Sequence, residues 1–179
     1  MNNNFPQRKR IRLKGYDYTT PGYYFITICT DDRENHFGVI KNGNVILTKA
    51  GEIVKKVWDE LPLHYNNCEL DTYIVMPNHF HGIIKLKHLY NEKESIFLPL
   101  NEKKCHGLSE IIRGFKTFSS KRINEELKLK QNQKFKWQKS YYDIIIRNEQ
   151  QLENIRNYII DNPLKWESND GYLDDFNDL

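Results

Sequence analysis

Two runs of strand-forming residues, ELDTYIVM (69–76) and HFHGIIKL (79–86), are separated only by Pro77-Asn78. Both are rich in β-branched and aromatic side chains, and so short a break between them predicts an antiparallel return. The rest of the chain has to fold around that hairpin. Upstream, YYFITICT (23–30) reads as another strand. HFGVIKNGNVIL (36–47) holds Asn42-Gly43 between apolar runs, a strong signal for a tight hairpin turn. Thr48 is placed to cap a helix whose apolar residues Ala50, Ile53, Val54, Val57, Trp58 and Leu61 recur at helical spacing, with Pro62 as its expected stop.

Downstream, residues 88–106 are polar and irregular and read as a loop. From Leu108 the spacing predicts a helix with Ile111, Ile112, Phe115 and Phe118 on one face and Arg113, Lys116, Ser120 and Lys121 on the other. YYDIII (141–146) reads as a last strand. Asn148 with Gln151 three residues on has the pattern of a capping box, opening a final helix with Leu152, Ile155 and Ile159 on its core stripe and Pro163 as its expected end. The order is strand, hairpin, helix, strand, strand, helix, strand, helix. Without the early hairpin this is βαββαβ, so the expected fold is α+β: a ferredoxin-like split βαβ with a central antiparallel sheet, an extra N-terminal hairpin and a C-terminal helix. A single domain over 16–166 is expected, flanked by a basic arm (1–15) and an acidic tail (167–179) expected to be disordered.

Charge is distributed unevenly. Arg8, Lys9, Arg10, Arg12 and Lys14 crowd the first 16 residues with no acid among them. Residues 103–139 hold eleven Lys or Arg against Glu110, Glu125 and Glu126, while the five acids from Glu167 onward offset much of this. Two basic segments point to a polyanion partner; solvated helix faces are the plainer alternative. No apolar run approaches the ~18 residues of a membrane span, and the N-terminus lacks the apolar core of a signal peptide. Cys29, Cys68 and Cys105 are odd in number and far apart, which reads as free thiols in the cytoplasm.

Two residue pairs are suited to chemistry. His79 and His81 lie two apart in a strand, so both imidazoles leave one face while Phe80 leaves the other. Such a pair can ligate a divalent ion, although a hydrogen-bonded pair beside a turn has the same pattern. Tyr158 and Asn162 are i and i+4 on the last helix and share a face. The phenol is a candidate nucleophile and the amide oxygen a hard metal ligand. On composition alone Tyr141 and Tyr142 are equal candidates.

YIVMPNHFHGII (73–84) resembles the His-hydrophobe-His core of the HUH single-strand DNA transposases, closest to the REP-associated tyrosine transposases and their insertion-sequence relatives. The likeness extends to YYFITICTDDRENHFG, GLSEIIRGFKTFSSKRIN and WQKSYYDIIIRNEQQLENIRNYIIDNPLKW, in order along nearly the whole chain. It implies that His79 and His81 are metal ligands, Asn162 the third, and Tyr158 the catalytic tyrosine, with Mg²⁺ or Mn²⁺ as the ion. Other branches have Gln where Asn162 stands. Ile144 departs from the pattern, since many relatives have a histidine there.

The resemblance implies cleavage and rejoining of single-stranded DNA beside a hairpin through a 5′-phosphotyrosine. Arg8, Arg10, Arg12 and Lys14 on the arm and Arg113, Lys116 and Lys121 on the helix are the expected DNA contacts. Phe135 and Trp137 are expected in the core, with base stacking as the other option. Relatives include dimers and monomers, so homodimerisation stays open, as does the use of Tyr158 in cis or in trans. Two other functions fit parts of the pattern: a catalytically idle hairpin binder of the same fold, and a metal-dependent nuclease using water. A zinc hydrolase fits less well, since H-E-x-x-H is absent.

Overall fold

The computed structural model describes Leu13 and residues 15–88 and 105–168. Arg8, Arg10, Arg12 and Lys14, most of the expected loop and nearly all of the acidic tail lie outside the described residues. The elements are β1 (Gly22–Cys29), β2 (Gly38–Lys41), β3 (Asn44–Leu47), α1 (Lys49–Asp59), α2 (Leu61–His64), β4 (Cys68–Val75), β5 (His79–Leu86), α3 (Leu108–Glu126), a 3₁₀ turn (Gln131–Gln133), β6 (Tyr142–Ile146) and α4 (Glu149–Ser168).

β4, β5, β1 and β6 form one antiparallel sheet in that order, with β2 and β3 paired apart from it. That order is the ferredoxin-like one, and the extra hairpin follows the first strand as expected. Asn42 and Gly43 turn it with φ of 52° and 69°, the doubly left-handed conformation that Asn-Gly adopts at low cost.

The sheet is covered on both faces. Tyr24, Ile26 and Ile28 of β1 and Phe80 and Ile84 of β5 join Val54 and Trp58 of α1 and Ile112 and Phe115 of α3 in the larger core cluster. On the other face, Phe25 and Ile83 pack with Leu152, Ile155, Tyr158 and Ile159 of α4. Strand alternation therefore sends Phe80 to one layer and its two neighbouring histidines to the other. Phe135 and Trp137 are buried in the larger cluster, and the three cysteines are unpaired.

Local chemistry sets the boundaries. Thr48 caps α1, accepting from Gly51 N at 3.2 Å. Asn148 accepts from Gln151 N at 2.8 Å while Gln151 Oε1 accepts from Arg147 N at 3.0 Å, a reciprocal cap displaced by one residue.

Four expectations need correction. α1 ends at Asp59, before Pro62, which instead sits in the first turn of α2, where a missing N–H costs nothing. Phe118 is 53% exposed, because the buried stripe runs from Phe115 to Ser119 and Ile123 instead. Ser119 can be buried there since Trp137 Nε1 donates to its hydroxyl at 2.9 Å. α4 continues through Pro163 to Ser168, and the expected start of the acidic tail, Glu167, is helical. Pro163 removes only its own N–H from the ladder, and contacts further along hold the following turn (described below). β6 begins at Tyr142, leaving Tyr141 in the core.

Gly82, between His81 and Ile83 in sequence, faces the crowded α1 side of β5. A Cβ there would come within 2.6 Å of the Trp58 ring and 2.8 Å of the Phe80 ring. Gly82→Ala is expected to lower stability by about 1–3 kcal/mol through overpacking, read by urea denaturation. An unchanged midpoint would show that Trp58 yields without cost.

Candidate active site

β5 pairs with β1 so that Thr27 lies opposite His81 and Cys29 opposite His79. Both imidazoles point to the α4 side and are fully buried. Their partners constrain their tautomers. Asn78 Nδ2 donates to the Arg33 carbonyl at 3.0 Å, which turns its Oδ1 towards His79 Nδ1 at 2.8 Å. An amide oxygen only accepts, so His79 carries its proton on Nδ1 and points the Nε2 lone pair inward. That nitrogen is 3.0 Å from His81 Nε2. His81 Nδ1 is 2.8 Å from Thr27 Oγ1, a group able to donate or accept. The His81 proton can therefore bridge the two Nε2 atoms, or move to Nδ1 and leave both lone pairs facing one point.

Burial keeps the pair neutral. It pushes His79 from its usual value down to about 3, with a hydrogen bond to Asn162 acting the other way. His81 lies well below its usual value through burial and then through proximity to His79. Asn162 is buried and completes a set of two imidazole nitrogens and one amide. Neutral, convergent donors of this kind fit a divalent ion. Among the described residues, no group of three or more His, Cys, Asp or Glu offers another metal site.

Tyr158, one turn before Asn162, is buried and packs edge-to-face with His81, ring centroids 5.4 Å apart, and with Phe25 at 6.1 Å. Phe25 in turn stacks on His81 at 5.4 Å. Arg156 fixes the middle of α4 to β4, with Nη2 2.7 Å from Asp71 Oδ2 and Nε 3.0 Å from Asp71 Oδ1. This two-pronged contact, first among several hydrogen bonds, holds the Asp71 carboxyl below its ordinary value.

His79, His81, Tyr158 and Asn162 are thus brought together within one chain. The expected helical DNA contacts are elsewhere, because α3 lies on the opposite face of the sheet. Arg113 and Lys121 are exposed there, and Lys121 lies 3.9 Å from Glu125. Lys116 donates to the Gln138 and Lys139 carbonyls at 2.6 and 3.1 Å, so it holds the segment before β6 in place. Ile144 pairs with Phe25 and packs against the α4 cluster, where an aliphatic side chain adds to the apolar layer.

Sequence reasoning missed Thr27, Asn78, Lys165 and Trp166. Trp166 lies 5.3 Å from His79, and the Lys165 ammonium lies 5.3 Å from the centre of the Tyr158 ring. Lys165 is seven residues after Tyr158, a spacing that could have been read from the helix pattern. Thr27 became visible only through the strand register.

The family described as IS200-like transposase matches residues 92–162, which include α3, β6, Tyr158 and Asn162. An uncharacterized protein of Haemophilus influenzae is 36% identical over 176 residues, covering 93% of this chain and 94% of the relative. A solved REP-associated tyrosine transposase bound to a REP hairpin shares the fold, with a TM-score of 0.56 at 19% identity over 86% of this chain and 73% of that one. A putative transposase from Deinococcus radiodurans has a TM-score of 0.49 at 19% identity, over 83% of this chain and 94% of that chain. The matched segment, residues 92–162, is that of an IS200-like transposase. Among the described residues no helix is long and apolar enough to cross a membrane.

The depressed histidines carry a pH signature. Unfolding lets both rings regain ordinary basicity, so the unfolded chain binds more protons below about pH 6.5. Their contribution to stability is complete above that value and is lost as pH falls towards the folded value of about 3 for His79. Denaturant titrations in EDTA are expected to show this decline, and His79→Gln should flatten it. An equal slope in the variant would contradict the burial account.

Proposed function

We propose that this chain is a metal-dependent single-stranded DNA transposase that cleaves and rejoins DNA next to a hairpin through a 5′-phosphotyrosine. The observation that carries this reading is the Tyr158 ring packed 5.4 Å from His81, one helical turn from Asn162. A candidate nucleophile and a candidate cation site therefore face the same point. The IS200-like transposase match over residues 92–162 supports the reading, and the hairpin in the similar solved structure makes hairpin DNA the first substrate to try.

His79, His81 and Asn162 would hold Mg²⁺ or Mn²⁺, which would supply positive charge to offset that of the scissile phosphate. The chain's own residues do the rest. Tyr158 loses its phenolic proton to solvent or a base as its oxygen bonds to phosphorus. The bond from phosphorus to the 3′ oxygen breaks, leaving a free 3′-OH and a tyrosyl ester of the 5′ phosphate. A second 3′-OH reverses the step on a new end and releases the tyrosine. The ester conserves the bond energy, so strand transfer needs no nucleotide cofactor.

Asn78 and Thr27 orient the imidazoles, and Phe25 and Trp166 exclude water around them. The basic surface of α3, with Arg113 and Lys121, and the arm residues Arg8, Arg10, Arg12 and Lys14 would meet phosphates away from the reacting centre. The placement of Tyr158 against its own chain's His81 supports action in cis.

Labelled hairpin DNA with single-stranded flanks, incubated with protein and Mn²⁺, tests the reading on a denaturing protein gel. The label should shift with the unsubstituted protein and stay free with Tyr158→Phe or EDTA. Cleavage without a protein-linked product would mean a water-using nuclease, and metal-insensitive binding without cleavage an idle hairpin binder.

A further inference from the structure

The end of α4 is anchored rather than frayed. Beyond Pro163, the Glu167 carboxylate accepts the backbone N–H groups of Asn42 at 3.2 Å and Gly43 at 2.8 Å, at the tip of the β2–β3 hairpin. Leu164 packs so closely on Gly43 that a Cβ there would collide with it. On the inner side of the same turn, Trp166 rests against His79.

Lys165 sits between these anchors. Seven residues are close to two full turns, so Lys165 shares a face with Tyr158 and holds its ammonium over that ring, 5.3 Å from the centroid. Among the described residues no carboxylate lies within ion-pair distance of it. Phe25, His81 and Lys165 all lie against the Tyr158 ring. Of these three side chains Lys165 is the one that brings an ammonium to the Tyr158 ring.

We infer that Lys165 is a phosphate-binding residue of the active site: its ammonium contacts a non-bridging oxygen of the scissile phosphodiester while Tyr158 faces the phosphorus. The inference rests on the transposase reading above. A phosphodiester that reaches the Tyr158 oxygen is an anion, and attack places further negative charge on its non-bridging oxygens. A lysine serves such a group as a point charge without a fixed approach geometry. The ring of Tyr158 and the anchored turn hold this one near the reacting group before DNA arrives. The β2–β3 hairpin, an addition to the ferredoxin-like core, thereby contributes to the site without lining it.

The test begins with a pool of DNA hairpins carrying randomised single-stranded flanks. Protein-linked DNA trapped by the unsubstituted protein with Mn²⁺ is sequenced to locate the scissile phosphate. Binding is then measured by fluorescence anisotropy in EDTA with Tyr158→Phe, which keeps the ring and cannot cleave. Hairpins carry either the natural phosphodiester or an uncharged methylphosphonate at the mapped position. The methylphosphonate should weaken binding about 5-fold, the size of one exposed charge contact. In Tyr158→Phe/Lys165→Met the two hairpins should bind alike, and Tyr158→Phe/Lys165→Arg should again distinguish them. Equal thermal midpoints of the variants exclude misfolding as the cause. Undiminished discrimination in the Lys165→Met background would overturn the inference while leaving the transposase reading intact. Failure of the unsubstituted protein to trap any DNA would overturn that reading, and this inference with it.

Discussion

The site depends on one strand register. β5 lies against β1 so that Thr27 faces His81, and the strand's two-residue period then commits both histidines to the side covered by α4. A slip of one residue would exchange the imidazoles with Phe80 and place them among Trp58 and Phe115. Gly82 helps to exclude that alternative, because the space beside it is filled by the Trp58 and Phe80 rings. Once in place, the imidazoles are too buried to take up a second proton and its charge, and the Asn78 oxygen turns a lone pair of His79 towards His81. Packing forces that belong to the fold thus prepare a neutral, convergent donor pair.

α4 carries Tyr158 and Asn162 and is firmly placed. Its start is capped by Asn148, its middle is tied by Arg156 to Asp71, and its end is held by Glu167 on the hairpin tip. Three attachments along about five turns leave Tyr158 little freedom of register, as its proposed role, in-line attack on a phosphorus, would require. The sheet also divides the labour. Its α4 face holds the candidate site, and the basic surface of α3 lies on the opposite side, where the proposed function would use it to position DNA.

Much of this was legible from local pattern. The alternation in HFH, the Asn-Gly turn, the Thr48 cap and the Asn148/Gln151 cap each depend on residues within a few positions of one another, and each reads directly from the chain. The sheet order followed from the sequence of elements. What could not be read were outcomes decided across the chain. Phe118 gives way to Ser119 in the core because Trp137, 18 residues later, satisfies the serine hydroxyl. Pro163 fails to end α4 because the hairpin tip, more than 120 residues earlier in the chain, anchors Glu167. Lys116 turns from the expected DNA surface because two carbonyls of a later segment take its ammonium. Within the site, the His79, His81, Tyr158 and Asn162 quartet was named from the family resemblance, and the contacts among the four had to come from the fold.

Everything proposed about catalysis assumes that the buried imidazole pair is a cation site, and Mn²⁺ binding tests that assumption without DNA or turnover. Titrating metal-free protein into Mn²⁺ and following the free-ion signal by electron paramagnetic resonance should show one ion bound per chain. Binding should be lost in His81→Ala and weakened in Thr27→Val, which removes the hydroxyl partner of His81 while keeping its shape. Binding of Mn²⁺ that is indifferent to His81→Ala, or no binding at all by the unsubstituted protein, would contradict the account.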